Sequence, residues 1–269
     1  MTACRLSYAT RSAPVVVSVE PRAAIPVASA LFPDDRASDP GGEPFLTLVA
    51  DDGGFALHGP GGTWRSSGLD ALLVRLELSL AEELVRRSGL AGVHAGGVVV
   101  GGGTVLLPGT GGTGKSTLTV ALAQRGTPVL GDDVVLLDPD ARAHAFRRLL
   151  KVEGPARALL GLPSAAGPLS TAWPDATFVR PHDVGSAWAE PAPVRVVVLP
   201  RRMEIGHTEL LRARASDVLA ELVAGLVLSP RVAAGTFEMV AEVVASAVCW
   251  ELRYATAPLG ADALVCALE

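Results

Sequence analysis

The stretch GTGGTGKST, Gly109–Thr117, constrains this chain more than any other, because it lies between an apolar β-run, TVLLP, and a helical run, STLTVALAQR. Gly109, Gly111, Gly112 and Gly114 free the backbone to turn its N–H groups inward as an anion nest, and a helix opening on Lys115 and Ser116 adds partial positive charge. The order Gly109-Thr110-Gly111-Gly112-Thr113-Gly114-Lys115-Ser116 satisfies G-x-x-x-x-G-K-[ST], the spacing of a phosphate-binding P-loop. On that pattern residues 109–117 bind the phosphates of ATP, Lys115 reaches the β- and γ-phosphates, and the Ser116 hydroxyl ligates Mg²⁺. A strand before such a loop and a helix after it require an α/β fold.

The rest of the chain bounds what surrounds this loop. Its 269 residues suffice for one large domain, or a core with a small appendage. Hydrophobic residues make up 49% and charged residues 19%, yet no apolar run reaches the length of a membrane span, so no membrane partner is expected. The first residues lack the apolar run of a secretory signal. Cys4, Cys249 and Cys266 are odd in number and scattered, which predicts neither a disulfide framework nor a zinc site and fits a cytoplasmic protein. The net charge of −5, with no clustered basic stretch, argues against nucleic acid as a partner. With only two lysines among 23 basic residues, Lys115 and Lys151 each draw notice.

Two segments are expected. Residues 1–88 read as β-rich, with APVVVSV, PFLTLVA and GFALHG as strands of a small antiparallel sheet, followed by an amphipathic helix over 67–87 with leucines at helical spacing. Residues 89–269 carry the loop. There GVHAGGVVV and TVLLP read as two strands joined by a glycine turn, Leu118–Arg125 as a helix, and TPVLGDD and VVLLD as short strands. Residues 141–190 resist assignment. VRVVVLP is then a strand, Ser216–Leu228 and Thr236–Val248 are helices, and CWELRYA is a closing strand.

The chemistry beyond phosphate binding rests on three neighbours of the loop. Asp132 and Asp133 follow Lys115 by 17 and 18 residues, room for one helix and one short return strand. Two carboxylates there can divide two tasks, one holding Mg²⁺ and one accepting the proton of an attacking hydroxyl; the plainer alternative is a solvated turn. His94, one hairpin before the loop, can approach the phosphates, although a histidine among apolar residues is more often a hydrogen-bonded core group. Arg147, Arg148 and Lys151, Arg180 and His182, and Arg201 and Arg202 are further basic groups able to meet phosphate or an acidic acceptor, each equally readable as solvated surface.

The succession VHAGGVVV and TVLLPGTGGTGKSTLTVALAQRGTPVLGDDVVLLD resembles the catalytic core of HPr kinase/phosphorylase, a P-loop kinase group related to phosphoenolpyruvate carboxykinase. VVVLPRR and CWELRY resemble HPr-kinase-related proteins found beside peptide-modification genes in bacteria. The resemblance implies an α/β core of the HPr kinase C-terminal type with a mixed sheet, an ATP- and Mg²⁺-dependent kinase, and catalytic roles for Asp132, His94 and Lys115. Asp132 would deprotonate the acceptor hydroxyl, Asp133 would join Ser116 at the metal, and His94 would assist at the phosphoryl site. HPr kinase is a hexamer, which makes a homo-oligomer admissible here without fixing its number. The N-terminal domain and the signature segment that support HPr docking and phosphorolysis are not found. The expected acceptor is therefore a Ser or Thr hydroxyl of another peptide or small protein.

Three other readings use the same loop. A small-molecule kinase, for a serine-type metabolite, differs only in its acceptor pocket. A motor or switch NTPase lacks support, since neither LSGGQ nor N/T-K-x-D occurs. A nucleotide-binding scaffold would need no Asp132, Asp133 or His94.

Overall fold

The computed structural model describes residues 3–164, 167–204, 206–227 and 233–268. The chain is mixed α/β and divides into two compact units, Met1–Gly89 with Pro163–Thr177, and Leu90–Leu162 with Phe178–Glu269.

In the first unit β1 (Cys4–Tyr8), β2 (Val15–Val19), β3 (Leu46–Asp51), β4 (Gly54–Gly59) and β5 (Gly62–Ser66) form one sheet in that order. The sequence predicts an antiparallel sheet, but β2 and β3 run parallel, Val17 opposite Leu46 and Val19 opposite Leu48. A parallel pair needs a long crossover, and residues 20–45 supply it, with α1 (Ile25–Ala30) inside. The amphipathic helix is α2 (Leu69–Ser88), which buries Leu72, Leu73, Leu76, Leu80 and Leu84 and stops at Gly89 in the left-handed conformation.

The second unit is built on β6 (Ala91–Val93), β7 (Ala95–Val100), β8 (Gly103–Pro108), α3 (Lys115–Ala123), β9 (Val129–Gly131), β10 (Val135–Leu137), β11 (Arg142–Ala145), β12 (Leu150–Glu153) and α4 (Pro155–Leu159). After β13 (Ala176–Val179) come β14 (Ala192–Arg202), β15 (Glu209–Arg212), α5 (Ala215–Ala224), β16 (Leu226–Val227), α6 (Ala233–Ser246), β17 (Val248–Tyr254) and α7 (Ala257–Leu268). The stretch read as one strand through His94 is thus two strands with different partners, β6 beside β10 and β16, β7 beside β8 and β9. Gly225 ends the first of the two late helices before the expected Leu228, which lies outside the described residues. α7 was not expected after the closing strand.

Strand β14 organises the sheet. Its first residues pair antiparallel with β11, and its centre lies parallel between β8 and β17. A strand covered on both faces must be apolar throughout, which is what VRVVVLP reads as. Val196 and Val198 join Val105 and Leu107 under α3 and α7, whereas Val197 and Leu199 join Leu106 under α5 and α6. A bulge between Val194 and Val196 puts Val194 on the second side. Leu118 of α3 is fully buried in the first cluster. Leu118→Ala is expected to lower stability by about 2–5 kcal/mol, read from the midpoint of urea unfolding. Among the described residues no helix is long and apolar enough to cross a membrane.

Candidate active site

β8, β14 and β17 run parallel, and β8 ends at the glycine-rich segment, which leads directly into α3. Gly112 and Gly114 hold φ of 83° and 90°, a region that side chains avoid. At Gly114 a Cβ would also come within 2.5 Å of the Tyr254 hydroxyl. That hydroxyl donates to the Thr113 carbonyl at 3.2 Å, pinning the segment to the end of β17. The Thr113 hydroxyl in turn donates to the Thr110 carbonyl at 2.9 Å. Burial therefore holds the Tyr254 phenol neutral, its pKa pushed up to about 12.

Lys115 is 5% exposed, and its ammonium donates to the carbonyls of Gly109 at 2.6 Å and Thr110 at 3.0 Å. Burial lowers its pKa against the opposing pull of Asp133, Asp132 and Glu221, the last on α5. The next residue, Ser116, donates its hydroxyl to the Asp132 carbonyl at 3.3 Å.

The two aspartates, in the turn between β9 and β10, have unlike surroundings. Asp132 is 2% exposed, and its Oδ2 accepts the Lys151 backbone N–H at 3.0 Å. Burial raises its pKa, helped by the charge of Asp133 and opposed by Arg148, the Lys151 N–H and Ser116. Asp133 takes the Nδ1 of His94 at 3.0 Å on one oxygen and Nη2 of Arg148 at 2.9 Å on the other. Burial raises its pKa too, but the His94 hydrogen bond and the charges of Arg148, His94 and Lys115 prevail and bring it to about 2. Asp133 thus stays ionised while Asp132 keeps the greater proton affinity.

His94 occupies the break between β6 and β7. Its N–H donates to the Gly225 carbonyl at 2.6 Å, and the N–H of Ala95 donates to the Asp133 carbonyl at 3.1 Å. Main chain and side chain of Asp133 are therefore both tied to the His94–Ala95 pair.

Lys115, Ser116, Asp132, Asp133 and His94 thus lie in one connected cluster. Of the other basic residues, Arg148 enters it through Asp133 and is only 16% exposed, while Lys151 contributes its backbone and directs its ammonium to Glu153 at 2.5 Å. Arg201 stands 4.0 Å from Glu221 and 3.9 Å from Glu251. The Arg180 N–H and the His182 ring both reach Asp183 in their own turn. Cys249 is buried and Cys266 exposed, all three cysteines being free. Glu221 and Tyr254 are neighbours of the cluster that no spacing signals, because each reaches it from a distant part of the chain.

Among the described residues no group of three or more His, Cys, Asp or Glu is placed to hold a metal alone. Mg²⁺ in nucleotide sites is held by one or two carboxylates together with phosphate oxygens and water. The Ser116 hydroxyl beside an Asp pair, one member of it firmly ionised, supplies the oxygen donors that such a cation takes. No family model and no curated protein matches this chain.

Proposed function

We propose that this protein is an ATP- and Mg²⁺-dependent kinase, with a P-loop core of the HPr kinase C-terminal type, that phosphorylates a Ser or Thr hydroxyl of a peptide or small protein. The observation that carries the reading is the placement of a buried Asp132 of raised proton affinity and an ionised Asp133 beside Ser116 and Lys115 of a strand–loop–helix. Backbone N–H groups of residues 109–117 receive the phosphates, and Lys115 turns from the Gly109 and Thr110 carbonyls to the transferred group. Mg²⁺, held by Ser116 and Asp133, would offset the phosphate charge. Asp132 accepts the proton of the acceptor hydroxyl as the new O–P bond forms and the bond from the γ-phosphorus to its bridging oxygen breaks, leaving ADP. His94 and Arg148 fix the orientation of Asp133, and His94 would assist at the phosphoryl site.

Incubation with ATP, Mg²⁺ and a panel of Ser- and Thr-containing peptides, with free serine as a second arm, is expected to yield a peptide heavier by one phosphate. Phosphorylation of serine alone would move the acceptor to the small-molecule class. ATP binding without transfer to any hydroxyl would replace the kinase by a scaffold.

A further inference from the structure

A cleft of about 230 Å³ opens beside the glycine-rich segment, on the side of the sheet that carries α3 and α7. Gly114 and Thr117 form its floor, Pro155, Ala156 and Leu159 of α4 one wall, and Tyr254 to Ala257 the other, with Arg202 at its edge. The lining is mainly apolar with a few polar groups, the character of a small-molecule site. Its volume is below the ~300 Å³ at which sites for whole drug-sized ligands begin, so it suits one ring system of a ligand whose remainder lies outside.

The cleft and the Asp132–Asp133–His94 cluster both adjoin the start of α3. Ser116 touches Asp132 on one side, while the neighbouring Gly114 and Thr117 belong to the cleft. Arg201 and Arg202 are consecutive residues of one strand and face opposite ways, Arg201 toward Glu221 of α5 and Arg202 into the cleft. Gly114 and Thr117 belong both to the glycine-rich segment and to the cleft, so a polyphosphate held by residues 109–117 can extend its other end into this cavity. Arg202 forms no ion pair with any described residue, which leaves its guanidinium available to a phosphate at the mouth.

We infer that this cleft takes the base of the donor nucleotide, with the ribose at its mouth and Arg202 meeting the phosphate nearest the ribose. The inference rests on the phosphate-binding role of residues 109–117 given above. It assigns donor recognition to α4 and the end of β17, elements outside the sequence motif.

The test is calorimetric titration of the full chain, in Mg²⁺, with ATP and with inorganic tripolyphosphate. Two variants are compared with the wild type: Ala156→Trp, which fills the cleft from its wall, and Leu159→Trp at a position 46% exposed, where a larger side chain is tolerated by the fold. The wild type is expected to bind ATP at least about tenfold more tightly than tripolyphosphate, a gap of about 1.4 kcal/mol. Each variant should lose that gap while holding tripolyphosphate within about twofold of the wild type. If Leu159→Trp or a folded Ala156→Trp binds ATP as the wild type does, the inference is overturned. A wild type that binds both ligands equally also overturns it but leaves the loop's role standing. A wild type that binds neither removes the role of the loop itself, and this inference with it.

Discussion

Asp132→Asn is expected to lower the rate of phosphoryl transfer by about 10²–10⁴-fold, the range for losing a positioned general base, while ATP affinity changes little. The same substitution is expected to raise the melting temperature near neutral pH. A carboxyl whose pKa is raised in the folded state favours the fold while protonated and loses that contribution as pH rises through the folded value. Asparagine presents the same acceptor to the Lys151 N–H without a charge to desolvate. The stability gap between variant and wild type should therefore open as pH climbs past the ordinary aspartate range and close again in acid. For the same reason the rising limb of the rate profile should lie above the pH at which an unperturbed aspartate ionises. Asp133→Asn should behave in the opposite sense. Its carboxylate stabilises the fold above the ordinary aspartate pKa, and that contribution disappears only as pH falls toward about 2. With the side chain one-third exposed, the expected loss at neutral pH is on the order of 1 kcal/mol once solvent screening is allowed for. Thermal melts of both variants from pH 3 to 8 read the two signs. Transfer abolished in Asp133→Asn but preserved in Asp132→Asn would exchange the two roles.

Lys115→Met carries the other large effect. The ammonium already makes two hydrogen bonds to loop carbonyls, and in the proposed complex it makes equivalent bonds to phosphate oxygens. Hydrogen bonds to a charged group are each worth about 1.5–3 kcal/mol, so ATP affinity is expected to fall about 10- to 100-fold, with transfer falling at least as far. Methionine keeps the length of the buried side chain, which confines the change to the charge. Fluorescence titration with a labelled ATP measures it. Affinity within about twofold of the wild type would show that Lys115 is merely a loop brace.

What was readable in the sequence is what local chemistry encodes. The strand, loop and helix around Gly109–Thr117 each announce themselves within a few residues, as does the leucine stripe of α2. The proximity of Asp132 and His94 to the loop followed from short connections, which leave a hairpin or a return strand little choice of destination. Partners chosen over long distances left no such trace. Arg148 reads equally as a contact for phosphate or an acidic acceptor and as solvated surface until the fold pairs it with Asp133, and Tyr254 reads as a strand residue until β17 is placed beside β14. The parallel setting of β2 and β3 is invisible for the same reason, since each strand alone would pair in either direction. Residues 141–190 are broken by turns every few residues, so no period develops from which an element could be read.

The place of β14 in the sheet has a kinetic consequence. Its register sets Val194 against Thr104, 90 residues upstream, and Val196 against Val248, 52 residues downstream. Closing loops of that size is slow compared with forming a helix or a hairpin. The helix α3 and the β7–β8 hairpin can form early, but the Tyr254 hydroxyl that fastens Thr113 arrives only with the last strand. During synthesis the glycine-rich segment would therefore emerge long before the strand that ties it down from outside. A nascent chain halted before β17 would carry every residue of the motif and its local braces, but not the tie from Tyr254 to Thr113.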